Sequence, residues 1–430
     1  MTKAAGNRNA MIMIGILFFV FGFVTWLNGT LIPFLKLVCQ LETDTEAFFV
    51  TTAFYLAYFF LAIPSARILQ STGFKNGMAL GLVVMAAGSL LFLPAADSRS
   101  FALFLTGLFV QGMGLALLQT ASNPYISILG PIDSAAQRIS IMGICNKTAG
   151  AISPLILGAL VLKNASSLEK DIAAATDPAA KEALLNQLAG RIHTPYIIMA
   201  VVLIVLALVV KRSNLPSIKT EEMDTAGAME GAGKTIWQFP HLWLGVICLF
   251  LYVGVEVMAG DAIGMFGKSS GIGLEETRYF TTFTLIAMLV GYVIGIFTIP
   301  QLISQQKALK ISAITGMLFS LGIYFSSGYV AIAFIALLGL SNALMWPAIF
   351  PLAIKGLGRH TQMGSALLVM GIVGGAIVPP LYGWLSAPGR LSHNAAFMIC
   401  TLPCYLYICY YAIKGHKAGS SQLTGSPAIS

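Results

Sequence analysis

The chain reads as an all-α membrane protein of twelve transmembrane helices in two six-helix halves. Three observations predict this. Of its 430 residues, 57% are hydrophobic and 10% are charged, whereas soluble domains carry about 25% charge. Apolar windows of roughly 20 residues, the length that crosses the hydrocarbon of a bilayer, recur along the chain. A gap-free internal match then relates the first half to the second: Gln137–Leu160 pairs with Gln362–Leu385, with Gly150-Ala151-Ile152 on Gly375-Ala376-Ile377, Pro154 on Pro379 and Gly158 on Gly383.

Each element follows from its own stretch. A short polar N-terminus (1–10) has no cleavable signal, so span 1 near 11–36 is retained. Asn28, Gly29 and Pro33 predict a bend in it. Spans 2 to 5 fall near 47–69, 77–96, 101–129 and 138–162. The polar, amphipathic segment 163–194 separates span 5 from span 6 (195–211) and predicts an external loop with a short surface helix. Residues 212–240, with Lys219, Glu221, Glu222 and Asp224, form a cytoplasmic linker between the half at 11–211 and the half at 241–414. Spans 7 to 12 fall near 242–267, 279–299, 309–327, 329–354, 363–386 and 395–414. The Ser/Gly-rich tail 415–430 is expected to be disordered.

The excess of Lys and Arg lies in the short loops of one face, including Arg67, Lys75, Arg138, Lys211, Arg212, Lys307 and Lys310. Positive loops stay inside, so both termini are expected in the cytoplasm. The net charge of +8 belongs to those loops. No basic face with interleaved aromatics points to nucleic acid. The six cysteines have no metal or redox spacing, and no nucleophile–base pair points to an enzyme.

Polar groups inside spans carry the chemistry. Gln119 and Asn123, one helical turn apart in span 4, share a face. Buried amides need partners, and the hydroxyls of a sugar suit them. Asn28, Asn146 and Asn342 are further candidate substrate ligands, with Trp26 and Trp346 as aromatic faces for a sugar ring. Ionisable groups inside a membrane are functional by default. Lys147 in span 5, Glu256 in span 7 and Asp261 five residues further are therefore candidates for coupling. Prolines 124, 154, 347, 351, 379 and 380 suit broken helices around a cavity.

Span 1 also matches span 7: Leu17-Phe18 pairs with Leu249-Phe250, Gly22 with Gly254, and Gly29 with Asp261. A parallel six-plus-six repeat is the major facilitator architecture, which holds substrate and ion near the midplane. The stretches Phe21-Gly-Phe-Val-Thr-Trp-Leu-Asn28-Gly-Thr-Leu-Ile-Pro33-Phe, Leu118-Gln119-Thr-Ala-Ser-Asn123-Pro124-Tyr and Ser341-Asn342-Ala-Leu-Met-Trp-Pro347-Ala-Ile-Phe resemble the fucose–galactose–glucose:cation symporter family. So do Gly364-Ser365-Ala and Gly374-Gly375-Ala-Ile-Val-Pro379.

The resemblance runs from about 11 to 414 and implies cation-coupled sugar uptake by alternating access, without a cofactor, by a monomer. The coupling ion would be sodium or a proton. Two departures stand out. The fucose branch has acids where this chain has Gly29 and Gln119, which argues against its proton scheme here. Glucose/galactose members keep an acid at the position of Glu256, and sodium coupling occurs among them. The segment Trp26–Lys36 with Val253–Asp261 looks closest to bacterial N-acetylglucosamine permeases. Competing readings are a drug/proton antiporter of the same superfamily and a non-transporting membrane sugar sensor. The linker and tail are short for the signalling domain a sensor needs.

Overall fold

The computed structural model describes residues 3–128, 135–213, 235–299, 301–357 and 360–419. Most of the expected linker, most of the tail and the first two residues lie outside the described residues. Among the described residues every regular element is helical. Twelve helices are long and apolar enough to cross a membrane: Ala10–Val38, Asp44–Leu69, Ser71–Asp97, Phe101–Asn123, Arg138–Val161, Pro178–Arg212, Pro240–Asp261, Leu274–Thr298, Gln305–Phe325, Gly328–Ile354, Met363–Leu385 and His393–Ile413. We number them spans 1 to 12. Because the number of spans is even, the start of span 1 and the end of span 12 lie on one face of the bundle, the terminal end. The opposite face is the far end.

Local chemistry explains where the chain departs from straight helices. Spans 2 and 3 are two helices joined by a tight turn at Gly73, which is non-helical with φ +76°. That left-handed conformation costs a glycine little and an L side chain much. Two helices, Ala165–Ala174 and Pro178–Gly190, precede the apolar helix His193–Arg212 of span 6, where the sequence predicts one. Asp177 separates them by capping the amides of Ala179 and Ala180, and Pro178 follows it at the first helical position. Leu185, Leu188 and Ala189 bury the second of these against the bundle.

Spans 1 and 7 are broken. Span 1 runs as Lys3–Thr25 and Asn28–Val38, and span 7 is followed after Ala262 by a short helix, Ile263–Ser269. Glycines let these spans approach their neighbours. A Cβ at Gly22 would overlap the Asn146 carbonyl of span 5, and one at Gly374 of span 11 would overlap the Phe250 carbonyl of span 7. Spans 1 and 5 therefore pack as spans 7 and 11 do.

The halves meet across a seam that is tied at the far end. Thr52 of span 2 donates to the Ala376 carbonyl of span 11 at 2.7 Å. Thr282 of span 8 donates to the Ala151 carbonyl of span 5 at 2.9 Å. Ala151 and Ala376 are the residues paired by the internal repeat, so these two bonds are counterparts. Arg278 donates to the Gly158 carbonyl at 3.3 Å and Lys268 to Glu169 at 2.7 Å. Phe48 meets Tyr382 edge-on at 5.8 Å.

Candidate functional site

A cavity lies between the halves at mid-depth and reaches toward the terminal end, where Asn123 and Ile139 line it. Its walls come from spans 1, 2, 4, 5, 7, 8, 10 and 11. Seven of the residues singled out from sequence line it: Trp26, Gln119, Asn123, Asn146, Lys147, Glu256 and Trp346. Asn28, Asp261 and Asn342 lie outside that lining.

Lys147 and Glu256 form an ion pair across the seam, with Nζ donating to Oε1 at 2.8 Å. Both residues are buried, at 7% and 8% exposure. Each charge offsets part of the desolvation cost of the other, and either alone would be strongly unfavourable here. The ammonium also lies 4.4 Å from the ring centroid of Trp26, where the negative face of the ring attracts it. Trp26 sits at the break in span 1, held between Gly150 of span 5 and Gly260 of span 7. A Cβ on either glycine would run into its indole. One aromatic plate thus touches both halves and the charge pair.

The polar lining on the other side is span 4. Gln119 donates from Nε2 to the Tyr58 hydroxyl at 3.0 Å. Asn146 lies across the cavity and reaches the Phe18 carbonyl at 3.4 Å. Trp346 stacks on Phe350 with an interplanar angle of 21°. Asn342 sits deeper between spans 10 and 12, where its Oδ1 accepts from Tyr405 at 2.8 Å. Asn28 is buried in the second half of span 1, beyond the break.

Sequence reasoning missed four tyrosines of the lining: Tyr55, Tyr58, Tyr252 and Tyr292. Each pairs an apolar ring with a hydroxyl, which makes an amphipathic wall. The available signal was position. A mid-span tyrosine is as far from the interfacial belt as a mid-span tryptophan. Amides, hydroxyls and aromatic faces around one ion pair can bind a neutral polyhydroxy ligand and sense an ion.

The sequence profile of the Major Facilitator Superfamily matches residues 14–379. The chain is 34% identical to the glucose/galactose transporter of Brucella abortus over 97% of each chain. It is 31% identical to the L-fucose-proton symporter of Escherichia coli, over 86% of this chain and 85% of that one. The solved structure of the transporter FucP in the outward conformation superposes with a TM-score of 0.74 at 26% identity, covering 95% of this chain and 98% of that one. The chain is a multi-pass membrane protein that belongs to the major facilitator superfamily and, within it, to the fucose–galactose–glucose:cation symporter family.

Proposed function

We propose that this protein carries a sugar across the bacterial inner membrane together with a cation, by alternating access, as a monomer with both termini in the cytoplasm. The observation that carries the reading is the cavity between the halves, which joins amides and aromatic rings to a buried ion pair spanning the seam. The relatives support a sugar: one is a glucose/galactose transporter, another an L-fucose-proton symporter. The substrate is a hexose such as glucose or galactose, or N-acetylglucosamine.

Gln119, Asn123 and Asn146 bind the hydroxyls or the acetamido group, and Trp26 and Trp346 cover the apolar faces of the ring. Asn28 and Asn342 support the same site from behind it. Coupling resides in Glu256, with Lys147 and Asp261. A carboxylate that can hold either a lysine or an ion changes partner as the cavity opens to each side. With the far end tied and the cavity reaching the terminal end, the conformation corresponds to one facing the cytoplasm.

Uptake into proteoliposomes, with sodium and pH gradients imposed separately, tests the reading. Glu256→Gln keeps shape and hydrogen bonding but removes charge. It should abolish accumulation against a gradient and retain sugar-for-sugar exchange. Accumulation at the parent level would remove Glu256 from coupling. Failure of the parent to move any of these sugars would overturn sugar symport.

A further inference from the structure

A second cavity, an apolar groove of about 460 Å³, opens on the lipid side of the seam between the halves. One wall is span 2 of the first half, with Leu56 and Phe59. The other is spans 7 and 11 of the second half, from Trp243 and Ile247 to Val373 and Ile377. No polar or charged side chain other than the indole of Trp243 lines it. Its floor is shut, because a Cβ at Gly371 or Gly374 of span 11 would meet the carbonyl of Val246 or Phe250 of span 7. Its inner end is shut by the bond from Thr52 to the Ala376 carbonyl, one turn from Leu56 and one residue from Ile377. Its rim is open: Phe59, Ile247 and Ile377 are about half exposed. The groove is distinct from the sugar cavity. Tyr55, Tyr58 and Ile372 face that cavity, whereas their neighbours Leu56, Phe59, Gly371 and Val373 face the groove.

The dimensions and charge of the groove specify an occupant. From Leu367 to Ile377 span 11 rises about 15 Å at 1.5 Å per residue, half the roughly 30 Å of hydrocarbon in a bilayer. The groove thus spans one leaflet, from the terminal interface to the midplane. At its mouth Trp243 stacks on Trp237 at 4.6 Å, as suits tryptophan at the headgroup level. That level is cationic here. His241 donates to the Lys355 carbonyl at 2.9 Å, and Lys355 itself is exposed. Gly419 packs on Pro240, which brings Lys417 to the same corner. Among the described residues, every carboxylate lies at the far end or within a span.

We propose that this groove binds one acyl chain of an anionic phospholipid of the leaflet at the terminal end, with its headgroup beside Lys355. A lipid tail gains little by leaving other tails for an apolar protein face. Selectivity therefore comes from the closed shape of the groove and from the headgroup. Each basic group near the membrane surface favours an anionic lipid roughly fivefold. The site follows from the membrane-spanning fold and does not depend on the symport reading.

Photolabelling of the full-length protein in phosphatidylcholine vesicles tests it. The probe is a trace of phosphatidylglycerol, or of phosphatidylcholine, with a diazirine in the middle of one acyl chain, and adducts are mapped by mass spectrometry. Phosphatidylglycerol should label Val246–Phe250 and Met370–Val373 severalfold above Val201–Val205 of span 6. That control face is as exposed and also ends in two basic residues, Lys211 and Arg212. The choline probe should label the groove at least roughly fivefold less. Lys355→Gln should lower groove labelling by phosphatidylglycerol roughly fivefold and leave span 6 unchanged. Ile247→Trp, placed on the exposed rim, should fill the groove and bring its labelling down to that of span 6. If that variant fails to fold, replacing bulk phosphatidylcholine by unlabelled phosphatidylglycerol at constant probe should depress the groove signal far more than the span 6 signal. Equal labelling of groove and span 6, equal labelling of the groove by both probes, or a groove signal that neither variant nor competitor lowers overturns the site.

Discussion

Thr52 of the first half bonds the Ala376 carbonyl of the second, and Thr282 of the second bonds the Ala151 carbonyl of the first. The packing beneath follows the same exchange. Gly375 lies against Tyr55, and Gly150, its counterpart, against Leu285. The charges do not follow it. Where the first half has Lys147 the second has Ile372; where the second has Glu256 and Asp261 the first has Val24 and Gly29. Glycines, threonines and prolines repeat because both halves solve one packing problem. The ionisable residues appear once because they serve the seam, where the two halves act as one site.

The largest effect should come from removing that asymmetry one charge at a time. Lys147→Ile installs the residue of the second half and leaves Glu256 buried alone. Breaking a buried pair in this way costs about 3–5 kcal/mol, so the unfolding midpoint in detergent should fall sharply. Adding Glu256→Val, the residue of the first half, removes the orphan and should recover most of the loss. The symmetrised double variant should fold and fail to accumulate sugar. A double variant less stable than Lys147→Ile would show that the pair is not the source of the cost.

A middle-sized effect separates two amides in equivalent spans. Gln119 of span 4 bonds Tyr58 in the cavity wall, while Asn342 of span 10 bonds Tyr405 outside it. Loss of a hydrogen bond that leaves a buried group unpaired costs about 1–3 kcal/mol. For Gln119→Ala that loss should appear in sugar affinity, as roughly tenfold or more. For Asn342→Ala it should appear mainly in the unfolding midpoint. Equal loss of affinity in both would bring Asn342 itself into the sugar site.

What the sequence made legible follows from the same division. Hydrocarbon tolerates so few polar groups that the twelve spans, the repeat and the mid-span charges stand out in composition alone. The facing of residues is harder to read. Helices such as Phe101–Ile128 are apolar on every side, so no periodicity marks the inner face, and Tyr55, Tyr58, Tyr252 and Tyr292 went unnoticed. The sequence places a bend at Asn28, Gly29 and Pro33 yet groups Asn28 with Trp26. The chain unwinds at Trp26–Leu27, and an unwound turn resets the angular phase of every residue after it. Trp26 therefore meets the cavity and Asn28 the seam behind it.

The smallest effect, that of Thr282, tests the symmetry itself. Thr52→Val and Thr282→Val keep the β-branched shape and delete the hydroxyl from each seam bond. The Ala151 carbonyl has the Leu155 N–H of its own helix four residues on, whereas Pro379 and Pro380 offer the Ala376 carbonyl no N–H, so it depends on Thr52. Thr282→Val should therefore cost only about 0.5–1.5 kcal/mol and Thr52→Val about 1–3 kcal/mol. The bonds lie on opposite sides of the pseudo-twofold and share no partner, so the two losses should add. They should also match in kind. Each loosens the far end, so a cysteine at Thr45, which packs against Gly383 there, should react faster with a membrane-impermeant thiol reagent in both variants and fastest in the double. Equal acceleration would mean that the two halves share the work of closing the far end. If only one variant accelerates the labelling, that span pair alone is the gate, and the matching bond in the other half is packing inherited from the repeat.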